Sequence, residues 1–150
     1  MMPKTDDGIK RALISLVSPG QKEATLHPGA WTDVLRMKFH DFDWDDGVHK
    51  VITKAQATEI LQFLTKNQHD ADEVIVHCEM GVSRSAAVSM FIADIYNLAF
   101  DRTYNRYNRY VYTMLKRAYG QALYHDDAPV LEPGQLPGYH GLGDVNAQLD

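Results

Sequence analysis

A single cysteine, Cys78, stands in 150 residues. No internal disulfide can form from one thiol, and thiol chemistry that needs a second, resolving cysteine finds none in the chain. Long hydrophobic runs are missing too: nothing approaches the ~18 apolar residues that a membrane-spanning helix requires. Positive charge is in deficit, since 15 Lys and Arg against 20 Asp and Glu leave a formal net charge of −5. That balance argues against general affinity for nucleic acid, so attraction for an anion has to be local. Residues 1–10 are polar and lack the apolar core of a secretory signal. Together with the lone thiol this suggests a reducing, cytoplasmic setting with no membrane partner. The seven histidines are scattered without ligand spacing, so no metal and no cofactor are expected. What the chain does have is 45% hydrophobic residues, enough at this length to bury one core.

Taken in order, residues 11–17 (Arg-Ala-Leu-Ile-Ser-Leu-Val) read as a strand that stops at Ser18-Pro19-Gly20, a strong turn signal. A second break falls at Pro28-Gly29. Residues 34–39 read as a strand with Leu35, Met37 and Phe39 on one side. A loop over 40–49 follows, with four aspartates at 41, 43, 45 and 46. Thr53 and Gln56 form a capping-box pattern that opens a helix over 54–67, with Ile60, Leu61, Phe63 and Leu64 on its apolar side. A third strand is expected over 73–77, a buried helix over 84–99, and a last helix over 103–119 that stops at Gly120. On that last helix Arg102, Arg106, Arg109 and Arg117 fall together, opposite Tyr107, Val111, Met114 and Ala118. This is a solvated face or a basic rim for anionic substrates. Strands interleaved with helices indicate an α/β domain, a central and mostly parallel sheet with helices on both faces. The expected domain spans 1–120. Residues 121–150, with Pro129, Pro133 and Pro137 among glycines, read as a surface-packed or mobile tail.

The chemistry concentrates in residues 77–85, His-Cys-Glu-Met-Gly-Val-Ser-Arg-Ser. An apolar run, Val74-Ile75-Val76, precedes it, and Ala86 to Ala93 follows as helix. Backbone N–H groups in a loop that enters a helix have no partners of their own and can cradle an anion. A thiol held there sits in a field that favours the thiolate. Arg84 at the helix entry adds a planar fork suited to a doubly charged oxyanion. A nucleophile aimed into an anion nest suggests phosphoryl transfer.

His77-Cys78, five residues, Arg84 and Ser85 together resemble the signature of the cysteine-dependent protein tyrosine phosphatases. Gly81 and the closing Ser83-Arg84-Ser85 are most similar to the dual-specificity branch. The likeness spans roughly residues 10–118, where Asn108 and Leu115 resemble a helix that the family places after the catalytic one. The resemblance implies the family's α/β fold and a phosphocysteine intermediate on Cys78. Phosphate would be held by Arg84 and the amides of Glu79, Met80, Gly81, Val82, Ser83 and Arg84. Ser85 would donate a hydrogen bond to Cys78 as it leaves. Asp41, directly after the second strand, is the first choice for general acid, and Asp43 is the alternative. Asp45 and Asp46, beside Gly47, read as a solvated turn. The implied substrate is a phosphorylated protein or peptide bearing phosphotyrosine, with phosphoserine and phosphothreonine as extensions. Two features depart from the family: four aspartates compete for the acid role, and Asp41 lies 37 residues before Cys78 (78 − 41), a few more than usual. Competing readings are a phosphoinositide or RNA 5′-phosphatase and a non-catalytic phosphate-binding module. The loop carries Glu79 and no lysine, which disfavours the first; keeping both Cys78 and Arg84 disfavours the second.

Overall fold

The computed structural model describes residues 8–27 and 29–124. Its elements are β1 (Arg11–Val17), β2 (Asp33–Lys38), α1 (Lys54–Asn67), β3 (Glu73–Cys78), α2 (Arg84–Tyr96) and α3 (Arg109–Tyr124). The three strands form one sheet in the order β2-β1-β3, parallel throughout. β1 is central: Ile14 pairs with Leu35 on one side and Val76 on the other. Parallel strands are normally covered on both faces, which is why β1 and β3 read as nearly continuous apolar runs.

Period-two alternation divides those runs between two faces. Ala12, Ile14 and Leu16 join Met37, Phe39, Val74, Val76 and Cys78 in the main core. Each helix contributes to the same core, through Ile60, Leu61 and Leu64 of α1, Val88, Phe91 and Ile92 of α2, and Val111, Leu115 and Ala118 of α3. On the opposite face Leu13 and Ile75 are covered by Leu26, Trp31 and Val34. The expectation of helices on both faces is therefore corrected for the described residues. All three helices lie on one face, and the β1–β2 connection folds over the other. The apolar runs announced two covered faces, but the 15-residue connection over 18–32 carries two large apolar side chains and does the covering without a helix.

The helix ends are set by side chains. Thr53 and Gln56 form the complete capping box at α1: Gln56 N–H donates to Thr53 Oγ1 (3.1 Å), and Thr53 N–H donates to Gln56 Oε1 (3.0 Å). α2 ends at Tyr96, not at residue 99, because Asn97 turns left-handed (φ 55°) and its N–H and that of Leu98 both donate to Ala93 C=O. α3 begins at Arg109, not at 103. Asn108 caps it, its Oδ1 accepting from Val111 N–H at 2.9 Å. Asp101 and Thr103 instead form a local turn (Thr103 N–H to Asp101 Oδ1, 3.0 Å). α3 also runs through Gly120 to Tyr124 and seats Ala122 in the core, so the boundary expected at 120 falls inside a helix. Arg102 and Arg106 consequently lie outside α3, and the four-arginine face is not a single helical stripe. Arg102 pairs with Asp94 at 2.7 Å. The Pro- and Gly-rich segment over 125–150, the start of the chain over 1–7 and the break at Pro28 lie outside the described residues. Among the described residues no helix is long and apolar enough to cross a membrane.

Because the strands are parallel, Ser18, Phe39 and Cys78 all leave the sheet at its carboxyl edge. Crevices at that edge are where open α/β sheets place their sites.

Candidate functional site

Cys78 is the last residue of β3 and is buried, with 1% of its surface exposed. Its Sγ lies 3.3 Å from Ser85 Oγ, in the first turn of α2. A thiol donates in this pair; toward a thiolate the hydroxyl donates instead. The five residues between Cys78 and Arg84 turn on Gly81, whose φ of 65° is a left-handed value that a side chain would disfavour.

Ser83 occupies the N-cap of α2 but makes no side-chain cap. Its hydroxyl donates to Asp41 Oδ1 at 2.9 Å instead. The first helical bond runs from Ala87 N–H to Ser83 C=O (3.1 Å). The N–H groups of Arg84, Ser85 and Ala86 therefore precede any intrahelical acceptor, and the positive end of the helix is left uncapped beside Cys78.

Arg84 is 97% buried, an unusual position for a guanidinium. Its Nη1 donates to Phe39 C=O (2.7 Å) and Ser18 Oγ (3.1 Å), and Nη2 lies 3.4 Å from Glu79 Oε1. Nε is buried and has no protein partner among the described residues. Glu79 also accepts from Ser18 N–H. Burial alone would raise the Glu79 carboxyl, but the bonds from Ser18 and the charge of Arg84 outweigh it and hold the group below its ordinary value. Residues at the ends of all three strands thus fix one arginine, leaving its Nε–H unpaired among the described residues.

The four aspartates separate clearly. Asp41 Oδ1 accepts from both Ser83 Oγ and Asn108 Nδ2 (2.7 Å), which puts its carboxylate at the rim of the loop. Asn108 Nδ2 also donates to Phe42 C=O (3.0 Å) while its own N–H donates to Ser83 C=O (3.0 Å). One buried asparagine therefore ties the acidic loop, the Cys78 loop and the start of α3 together. Asp43 is not brought to this place; it lines a separate cavity against Arg109, Tyr110 and Thr113 of α3. Asp45 accepts from Gly47 N–H, and Asp46 from Val48 N–H, His49 N–H and His49 Nδ1. The His49 hydrogen bonds lower Asp46 to about 2. Both are turn-forming residues. Met80 is 76% exposed at the loop's outer edge.

Sequence reasoning missed Ser18, whose position just beyond a strand at the carboxyl edge was the available signal, and Tyr104, which had none. Tyr104 Oη donates to Val82 C=O and braces the loop from outside. His77 Nε2 is buried without a partner among the described residues, and burial, then Arg36, pushes the imidazole down to about 4. Among the described residues no group of three or more His, Cys, Asp or Glu side chains could hold a metal ion. The loop thus brings together a buried thiol, a hydroxyl 3.3 Å from it, a helix start without a side-chain cap, a buried guanidinium and a carboxylate bonded to Ser83. No family model, curated protein or solved structure matches the chain.

Proposed function

We propose that the protein is a cysteine-dependent phosphatase that hydrolyses phosphomonoesters, phosphotyrosine first among them, through a phosphocysteine intermediate. The observation that carries this reading is the buried Arg84 with an unpaired Nε, set beside an uncapped helix start and a cysteine. A buried charge without full pairing is costly, and an oxyanion seated in the loop would supply the missing acceptor.

In the first step the Cys78 thiolate forms an S–P bond while the P–O bond to the leaving group breaks. The leaving oxygen takes a proton from Asp41. Arg84 and the amides of residues 79–84 hold the equatorial oxygens as charge redistributes. In the second step water attacks phosphorus and Asp41 takes its proton. The S–P bond breaks to release inorganic phosphate, and Ser85, 3.3 Å from the sulfur, stabilises the departing thiolate. Asp41 Oδ1 is occupied by two donors, so Oδ2 is the oxygen left to carry the proton.

The test is hydrolysis of p-nitrophenyl phosphate. Cys78→Ser lowers kcat by roughly 10⁴-fold or more, and Arg84→Lys, which keeps the charge but loses the fork, by about 10²–10³-fold. Wild-type turnover that survives Cys78→Ser overturns the proposal.

A further inference from the structure

Beside the site, two cavities of about 480 and 210 Å³ meet at Tyr110 and Met114 of α3. The larger carries Lys38, Lys50 and Lys54 on its walls, and the smaller carries Arg109 and Arg117. None of these five cations makes an ion pair among the described residues. The Arg109 guanidinium lies over the Tyr107 ring at 5.1 Å, a contact that orients the cation without neutralising it as a carboxylate would. Two carboxylates share the walls, Asp43 and Asp45, and Asp45 is engaged by Gly47 N–H. The floor is apolar, made of Ile52, Val51, Met114 and the Tyr110 ring. In a chain of net charge −5 this is a concentrated positive groove. It adjoins the candidate acid: Arg109 follows Asn108, whose Nδ2 holds Asp41, and Lys38 precedes Phe39, whose carbonyl holds Arg84.

We infer that this groove binds acidic residues flanking the phosphorylated residue of a peptide substrate. The occupant follows from the lining. Asp43 and Asp45 would repel an unbroken phosphate backbone, whereas a peptide can set carboxylates against the cations and amide donors against the aspartates. The apolar floor suits a hydrophobic side chain between the carboxylates. Arg109 and Arg117 stand eight residues apart on α3, about 12 Å along its axis. Carboxylates four residues apart on an extended peptide span about 13 Å. The recognised pattern is therefore two acidic residues at that spacing with an apolar residue between them. The inference takes its orientation from the phosphatase reading above, but binding in the groove is measurable without it.

The test uses the full chain and the double variant Lys54→Glu, Arg117→Glu. Both changes fall on exposed helix positions where Glu is a good helix former. Hydrolysis of a phosphotyrosine peptide with acidic flanks is compared with that of p-nitrophenyl phosphate, which has no flanks. The ratio of the two kcat/KM values falls about tenfold in the double variant, as loss of two rim charges predicts, and in wild type it falls with added salt. Fluorescence anisotropy with the same peptide, unphosphorylated, is run in parallel against its Gln-for-Glu counterpart and a single-stranded oligonucleotide. If no ester is hydrolysed but the acidic peptide binds wild type and not the double variant, the groove stands and the phosphatase reading falls. An unchanged ratio together with equal binding of the acidic and neutral peptides overturns the groove, as does tighter binding of the oligonucleotide.

Discussion

Two donors on one oxygen of Asp41 fix its direction at the rim of the loop. A general acid matters most when the leaving group is a poor one, because an unprotonated alkoxide leaves slowly. Asp41→Asn should therefore lower kcat by about 10²–10⁴-fold on phenyl phosphate and by much less on p-nitrophenyl phosphate. Asn108→Ala is expected to show the same leaving-group dependence with a smaller loss, since it frees the carboxylate without removing it. It also removes the α3 cap, at about 1 kcal/mol of stability. Equal losses on the two esters would reduce Asn108 to a structural residue. Asp43→Asn, against the wall of α3, should leave the leaving-group dependence unchanged.

The elements start and stop for local reasons, and those reasons decide what could be read in advance. α1 was legible because both halves of its capping box lie within four residues, Thr53 to Gln56. Thr53→Ala should cost about 1 kcal/mol in chemical denaturation. Gly81→Ala, at φ 65°, should cost about 1–2 kcal/mol and weaken phosphate inhibition at the same time. α3 starts at Arg109 and not at 103 because the Asp101 hydrogen bond spans two residues and closes only a turn, whereas the Asn108 cap spans three. The Cys78 loop was readable residue by residue as sequence. What held Arg84 was not, since Ser18 and the Phe39 carbonyl are 66 and 45 residues away along the chain. Nor could alternation in β1 and β3 tell which face would take the helices.

For the molecule as a whole, acid should be the destabilising direction below neutrality. His77 titrates at about 4 in the folded protein against an ordinary 6.5, because burial opposes its charge. Between those values the unfolded chain binds the extra proton, so stability rises with pH there and is lost as pH falls from about 6.5 toward 4. At full effect the loss is up to about 3 kcal/mol. Glu79, held below its ordinary value, adds a loss in the same direction at lower pH. Melting temperatures from pH 7.5 to 4 should show a shallower slope in His77→Gln than in wild type; parallel slopes would remove His77 from this role.

The strand order has a consequence for synthesis. β1 is made first and sits in the middle, and its second neighbour, β3, begins 62 residues later, as the Arg11–Glu73 pair records. At about 5–20 residues per second that interval is roughly 3–12 s. Throughout it an apolar strand stands with one edge open, the condition under which nascent chains pair with one another. Ribosome-bound fragments ending before Glu73 should therefore depend on chaperones for solubility, and fragments reaching past α2 should not.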